Sequence, residues 1–558
     1  MAPATNGTAG EFAEISAGAN LAGMAALVFV IRAGEKSNRG VAGLHGSLSF
    51  SLAGPFLEAC ALAIDQGRSM PFTPPTVFDA SSFSIFRRSL MQNDGLPLAD
   101  VVDSDLFAQG FAGHDVDFGD DEDAVYTPAI TLWALVSQVL FASEQRSCKA
   151  AVVRIASLWV TLGRYVCDTS TGAYCRARLK IPFEVVRDIT RRIALEAELQ
   201  VSHDDIDTDS DVNLSPRVVD EVRSQSSGGR VLLLDGFTIT AADTPENQAE
   251  YPQNPAQEDG LGFPILRCVT LTSLFTGMLF DLACGPYSGK ETGETALMRE
   301  LLDVLQPGDT LVADCYHCTY WLIAACQQRG VHIVMKNHHK RDDHPADAVR
   351  LRKGERLVTW TRPGRPAWMS ADEYSQQPET VAIRLVDVNV TRKGFRPDTF
   401  TVATTMIDDR DVPGDWIRSV YESRWLVELD IRAVKCSLNM DILRAKSPGM
   451  VRTELWSCLL AYNLIRLKML QSSVATGRDP RSLSFTTTQQ LLATNWLLCA
   501  VIGVSDEMAT LGQQTSASER VGHRDGRIEP RVNKRRPKVL ALMKKPRHQL
   551  QAELEAAA

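Results

Sequence analysis

The stretch Val231-Leu232-Leu233-Leu234-Asp235-Gly236 decides the fold. Four consecutive aliphatic residues leave no polar face, so they suit a strand covered on both sides, and the acid that follows is delivered to its C-terminal edge. Further along the pattern returns: Pro307-Gly308-Asp309 makes a turn, Thr310 to Ala313 forms a second apolar run, and Asp314 ends it. Between the two, Ile265 to Ser273 and Met278 to Ala283 predict a hairpin turning near Leu274 to Gly277, and Glu291 to Leu305 predicts a helix. A helix through Trp321 to Gln328 and a strand from Val331 to Lys336 complete a mixed α/β unit.

Working outward, the texture changes on both sides. Upstream, the apolar spacing of Ala129, Leu132, Leu135, Val136 and Val139 is helical, and helices are predicted from Tyr126 to Glu198, with Ser224 to Gly229 as a junction. Downstream of His338 the pattern turns β-like and charged, with strands at Leu357 to Thr361, Val381 to Val390 and Thr399 to Met406. Pro413 then opens a long helix to about Ser437, a position that suits proline. Helices at Val451 to Leu470 and Thr488 to Ile502 precede a basic tail. The expected organisation is multidomain α/β: 1–80 a poorly defined leader with a helical segment at Ser47 to Gln66, and 81–224 a helical N-terminal region. Next come 225–337 the first part of the core, 338–406 an inserted β subdomain, 407–510 the long helix and C-terminal helices, and 511–558 the tail.

Bulk properties set bounds. A chain of 558 residues exceeds one ordinary core, and 44% hydrophobic with 23% charged residues excludes a disordered chain. The net charge of −9 argues mildly against a nucleic-acid partner, but it averages acidic runs at Asp115 to Asp123 and Asp204 to Asp211 with a basic tail from Arg520 to Arg547. The 12 scattered cysteines, without a signal peptide, predict a reduced, cytoplasmic setting. Cys315 and Cys318 have metal spacing, but no second pair accompanies them, so buried thiols are the plainer reading. Leu21 to Ile31 and Leu491 to Val504 are too short to span a bilayer and are expected as core, with no membrane partner.

Two strand-terminal aspartates and a glutamate on a later helix, Glu428, give three carboxylates able to converge at one sheet edge. Hard oxygen ligands of this kind suit two Mg²⁺ ions, with Mn²⁺ able to substitute, in displacement at phosphorus. The competing reading is that Asp235 and Asp314 merely cap turns. On an ideal helix Tyr421, Arg424, Glu428 and Lys435 fall at about 0°, 300°, 340° and 320°, a single stripe on which a carboxylate is flanked by cations and a phenol. A DNA strand crossing bound metals would use such a stripe, although a solvated charged face is common on long helices.

Tyr421-x2-Arg424-x3-Glu428-x6-Lys435 resembles the Tyr-Arg-Glu-Lys signature of the IS-four family of bacterial insertion-sequence DDE transposases. The stretch from Asp235-Gly236 through Asp243-Thr244-Pro245-Glu246-Asn247 to Tyr251-Pro252-Gln253 is similar to the segment after that family's first catalytic aspartate. Gly285-Pro286-Tyr287-Ser288-Gly289-Lys290-Glu291-Thr292-Gly293-Glu294 and Pro307-Gly308-Asp309 resemble the approach to its second. Tyr126-Thr127-Pro128 and Thr171-Gly172-Ala173-Tyr174-Cys175 extend the likeness over most of residues 126–470.

The resemblance implies an RNase H-like catalytic core with a β insertion between Asp314 and Glu428, flanked by helical regions, and a DNA transposase acting by cut and paste. It implies Asp235, Asp314 and Glu428 as catalytic metal ligands, and Tyr421, Arg424 and Lys435 as DNA contacts. It further implies a homodimer that synapses double-stranded terminal inverted repeats and joins them to target DNA. In relatives a tryptophan of the insertion stacks on a flipped base, which makes Trp360 or Trp368 the candidate here, with core packing as the alternative. Cys315 departs from the arginine that many relatives carry after the second aspartate, which puts a phosphate contact there in doubt. Two other readings keep parts of this picture: a nuclease without strand transfer, and a catalytically silent DNA-binding repressor. A P-loop reading of Gly285 to Lys290 fails, because the two glycines are one residue too close and Lys290 is followed by Glu291.

Overall fold

The computed structural model describes residues 83–119, 121, 124–141, 143–201, 229–390, 398–520 and 543–557. The leader over 1–80 with its expected helix and apolar run, the acidic run 204–211, nearly all of the junction 224–229 and the basic residues Lys534, Arg535, Arg536 and Lys538 lie outside the described residues. Among the described residues, no helix is long and apolar enough to cross a membrane.

The chain enters through helices α1 (Ser84–Ser89), α2 (Ser104–Ala112), α3 (Pro128–Leu140), α4 (Cys148–Thr161), α5 (Gly172–Leu179) and α6 (Phe183–Gln200). Thr127 accepts from the Ile130 amide ahead of Pro128, and Ser147 accepts from Ala150, so α3 and α4 each start on a side-chain cap. Strand β1 (Val231–Thr240) follows, then helix α7 (Pro245–Glu250), the hairpin β2 (Ile265–Ser273) and β3 (Leu279–Pro286), and helix α8 (Glu294–Glu300). Next come β4 (Thr310–Ala313), α9 (Tyr320–Gln328) and β5 (His332–Lys336). Strands β6 (Val349–Arg352) and β7 (Glu355–Thr361), helix α10 (Ala371–Ser375), and strands β8 (Thr380–Val390) and β9 (Asp398–Thr404) fill the stretch expected as an insertion.

The nine strands of the described residues form one mixed sheet in the order β3-β2-β1-β4-β5-β9-β8-β7-β6. Strands β1, β4 and β5 run parallel, and β9 joins β5 antiparallel through Val334↔Thr404. The insertion's strands therefore prolong the core sheet instead of closing a sheet of their own.

Alternation along the parallel strands separates the two faces. Val231, Leu233, Val312 and Val334 pack with Trp416, Ile417, Val420 and Val427 on one face, while Leu232, Leu234, Leu311, Ala313, Ile333 and Met335 join the helical core on the other. Each fully buried Val, Leu, Ile or Met side chain among them contributes roughly 1.5–3 kcal/mol. Both faces are covered, as the unbroken apolar run at 231–234 requires.

Two expectations need correction. β1 does not end at Asp235: it continues to Thr240 because β2 pairs antiparallel with it as far as Thr240↔Ile265, whereas its parallel pairing with β4 stops at Leu233↔Val312. Asp235 thus lies inside a strand but beyond the reach of the neighbour on that side. The single helix expected from Pro413 to Ser437 is broken into α11 (Gly414–Glu422), a 3-10 turn at Ser423–Trp425, α12 (Leu426–Arg432) and a π turn at Ala433–Ser437. A π turn adds a residue to the circuit, so the ideal-helix stripe does not carry through to Lys435.

Helices α13 (Pro448–Thr476), α14 (Phe485–Ile502), α15 (Asp506–Ser518) and α16 (Arg547–Ala557) complete the described elements. α14 takes in most of the apolar run Leu491 to Val504, with Leu491, Leu492, Trp496 and Cys499 buried. A buried ion cluster ties α12 to this region. The Asp430 carboxylate, 1% exposed, accepts from Arg466 of α13 and Arg481, each at 2.6 Å, and Arg481 also donates to the Leu274 carbonyl at 2.9 Å. Asp430→Ala leaves two buried guanidiniums without their counter-charge. Chemical unfolding is expected to show a loss of about 3–5 kcal/mol; a loss no larger than an ordinary surface substitution would mean that the cluster does not fix α12.

Candidate active site

The alternation that sorts the core also aims the acids. Asp235 has the parity of Val231 and Leu233, and Asp314, one residue past β4, has the parity of Val312, so both face the side covered by α11 and α12. With Leu233 opposite Val312 as the last pair, Asp235 and Asp314 each lie two residues beyond it. Glu428 comes down from α12 onto the same place. Asp314 and Glu428 are both close enough to push the Asp235 pKa upward, although burial is the larger cause and the Gly236 amide and Arg424 oppose it. The Gly236 amide donates to Asp235 Oδ1 at 2.8 Å, and the Tyr316 amide donates to Asp314 Oδ1 at 2.9 Å.

Arg424 lies among these acids. Its guanidinium is 3.7 Å from Asp235 Oδ2 and donates to Glu428 Oε1 at 2.9 Å. Burial works against its charge, but the Tyr421 phenol and the Glu428 and Asp235 carboxylates hold its pKa above the ordinary value. Tyr421 is 8% exposed, and its hydroxyl is pushed up to about 12 by burial, with a further rise from Asp314. Asp235, Asp314, Glu428, Arg424 and Tyr421 therefore meet. Lys435 does not join them: its Nζ donates to the Thr238 carbonyl at 2.8 Å and pairs with Asp441 at 3.0 Å, farther along β1. Trp360, on β7, is part-buried beneath the Arg341 guanidinium at 3.8 Å, and Arg341 donates to the Cys318 carbonyl at 2.6 Å. Trp368 is 38% exposed with Arg299 at 4.1 Å from its ring.

Sequence reasoning did not single out two groups beside the acids. The Glu294 carboxylate approaches from α8 over Gly236, where a Cβ would stand only 2.4 Å from Glu294 Cδ. Burial raises its pKa, Arg267 opposes, and Asp235 and Asp314 add to the rise. His317 is 1% exposed, its Nε2 3.7 Å from Glu294 Oε2, and burial pushes its pKa down to about 4. In the sequence Glu294 stands only as the last residue of the stretch from Gly285 that resembles the approach to a second catalytic aspartate, without a role of its own, and nothing there marks His317.

The donor chemistry fits hard divalent cations: carboxylate oxygens from three elements beside a glycine that leaves room for a further acid. In the arrangement described, no three His, Cys, Asp or Glu side chains among the described residues stand close enough together to hold a metal ion, and Glu428 is engaged by Arg424.

Residues 226–464 match the family model described as Transposase DDE domain. Over 323 residues the chain is 28% identical to the transposase InsG for insertion sequence element IS4 of Escherichia coli (strain K12), covering 56% of this chain and 69% of that protein. Among solved structures, the piggyBac transposase in a synaptic complex with hairpin DNA aligns over 77% of this chain and 81% of its own, at 10% identity and a TM-score of 0.34, too distant to bear on the site.

The raised pKa of Asp235 has a consequence for stability. A folded-state pKa above the ordinary 3.8 makes the ionised form the disfavoured one, so the penalty is full above the folded pKa and gone below 3.8. In chelator, Asp235→Asn is expected to stabilise the chain at neutral pH by about 1 kcal/mol, and the gain should vanish on acidification. Thermal unfolding across pH checks this, and an Asn variant less stable than the native chain at neutral pH refutes it.

Proposed function

We infer the reaction from one premise: the chain belongs to the IS4 family of DDE transposases and is a DNA transposase. Its core is read as RNase H-like, since a hairpin β2–β3 flanks β1 and two parallel strands follow on the other side. Asp235, Asp314 and Glu428 are the catalytic carboxylates and would hold two Mg²⁺ ions, for which Mn²⁺ substitutes. The observation that carries this reading is the shared parity of the two aspartates toward the helix that bears Glu428. Bound there, the cations would activate the attacking oxygen and neutralise the leaving one.

The chain's own residues bind and align the DNA. In cleavage, a water oxygen forms a bond to phosphorus, the bond to the 3′ oxygen breaks, and the water's proton leaves to solvent as the 3′-hydroxyl is formed. In joining, that 3′ oxygen forms a new bond to a target phosphate, whose own 3′ oxygen departs and takes up a proton. Glu428 must turn from Arg424 to reach a cation beside Asp235. Arg424, freed of it, remains next to the strand's phosphates together with Tyr421, and Lys435 supplies a second cation once it leaves Asp441. Trp360 would stack on a base only by exchanging it for Arg341, which now covers its ring.

The partners proposed are the element's double-stranded terminal inverted repeats and a target duplex, engaged by a homodimer in the cytoplasm. The helical region 81–224 is proposed to contribute to end binding, and residues 338–406 to act as the insertion even though their strands share the core sheet.

With DNA carrying the element's own repeats and Mg²⁺, the native chain is expected to cleave and join. Asp235→Ala, Asp314→Ala and Glu428→Ala should each bind but lose both steps by about a thousand-fold or more, near 4 kcal/mol of transition-state stabilisation. Cleavage without joined product would favour a nuclease, and full activity in any of the three would remove that residue from the site. Arg424→Ala and Lys435→Ala should each weaken end binding and reduce the salt dependence by about one phosphate contact, read from binding isotherms at several salt concentrations.

A further inference from the structure

Beyond the three carboxylates, a fourth acid and a buried imidazole stand beside Asp235 and Asp314 without a role. The Glu294 carboxylate fills the space over Gly236, so close that a Cβ there would lie 2.4 Å from Cδ, 2.6 Å from Oε2 and 2.7 Å from Oε1. Any side chain at 236 would displace it. Glu294 also has Asp235 and Asp314 as like-charged neighbours, with Arg267 as the opposing charge.

His317 supplies the independent observation. It is 1% exposed, and neither ring nitrogen has a hydrogen-bond partner among the described residues. Buried imidazoles normally satisfy both nitrogens, so an orphaned one calls for a reason. Its Nε2 is 3.7 Å from Glu294 Oε2, just beyond hydrogen-bonding range. Its backbone is fixed between Asp314, whose Oδ1 accepts from the Tyr316 amide, and Thr319, which caps α9.

We propose that Glu294 is a further carboxylate ligand of the cation site, held over Gly236, and that His317 is the residue that positions it. This rests on the reading of Asp235 and Asp314 as cation ligands. A shift of well under 1 Å brings Nε2 within hydrogen-bonding distance of Oε2 when the carboxylate settles on a cation. His317 then donates from one nitrogen and fixes which carboxylate oxygen faces the metal, as outer partners of metal ligands do. The site takes divalent cations with oxygen preference and has acids from both sides of β1: Glu428 from one face and Glu294 from the other.

The test is calorimetric titration of Mn²⁺ into the full chain without DNA, with thermal unfolding as the control for folding. Glu294→Gln and Gly236→Ala should each weaken Mn²⁺ binding by about ten-fold or more, and His317→Gln should weaken it by a smaller factor, all with a native-like unfolding transition. Gly236→Ala keeps the acid and moves it, so it decides the matter should Glu294→Gln fail to fold. Native-like Mn²⁺ affinity in both Glu294→Gln and Gly236→Ala, beside loss in Asp235→Asn and Asp314→Asn, overturns the proposal and leaves the three-carboxylate reading standing. Native-like affinity in Asp235→Asn and Asp314→Asn overturns both together.

Discussion

Everything at the site depends on the parallel pairing of β1 with β4. Three residue pairs, ending at Leu233↔Val312, set the register, and Asp235 and Asp314, each two residues past that last pair, share its parity. A slip of one residue would send one of the acids to the opposite face, because side chains alternate along a strand. The apolar residues on both faces make such a slip costly, since Val231 and Leu233 belong to one core and Leu232 and Leu234 to another. The hydrophobic effect thus holds together acids that repel each other.

That repulsion is tempered by named groups. Arg424 lies between Asp235 and Glu428, the Gly236 and Tyr316 amides donate to the two aspartates, and Arg267 opposes the rise of the Glu294 pKa. The helix that carries Glu428 is fastened from behind, where Asp430 is gripped by Arg466 and Arg481. A break in the helix on either side of Leu426–Arg432 lets α12 take its own direction, fixed by that buried cluster. Arg424 serves as an internal counter-ion to Glu428 and Asp235.

Several elements were legible because their causes are local. The strand at Thr310–Ala313 and the hairpin at β2 and β3 follow from apolar runs bounded by turn residues, and the Tyr421, Arg424 and Glu428 cluster follows from spacing within about two helical turns. Lys435 separated from the cluster because the π turn at Ala433–Ser437 changes the angular spacing of side chains within it, and no residue there announces the turn. Asp235 being mid-strand was hidden because the strand's extension depends on β2, a partner made by later sequence.

The sequence by itself determined the pattern of the candidate site: a doubly covered strand followed by an acid, a second such acid, and a helix with a carboxylate among cations. Those are short-range patterns, and local propensity and burial suffice to produce them. Only the tertiary structure decided that Glu294 reaches over Gly236, that His317 is buried with both nitrogens unpartnered among the described residues, that β6 to β9 extend the core sheet, and that Asp430 anchors α12. Each of these joins segments distant in the chain, and their meeting is fixed by sheet register and core packing, which no single stretch of sequence contains.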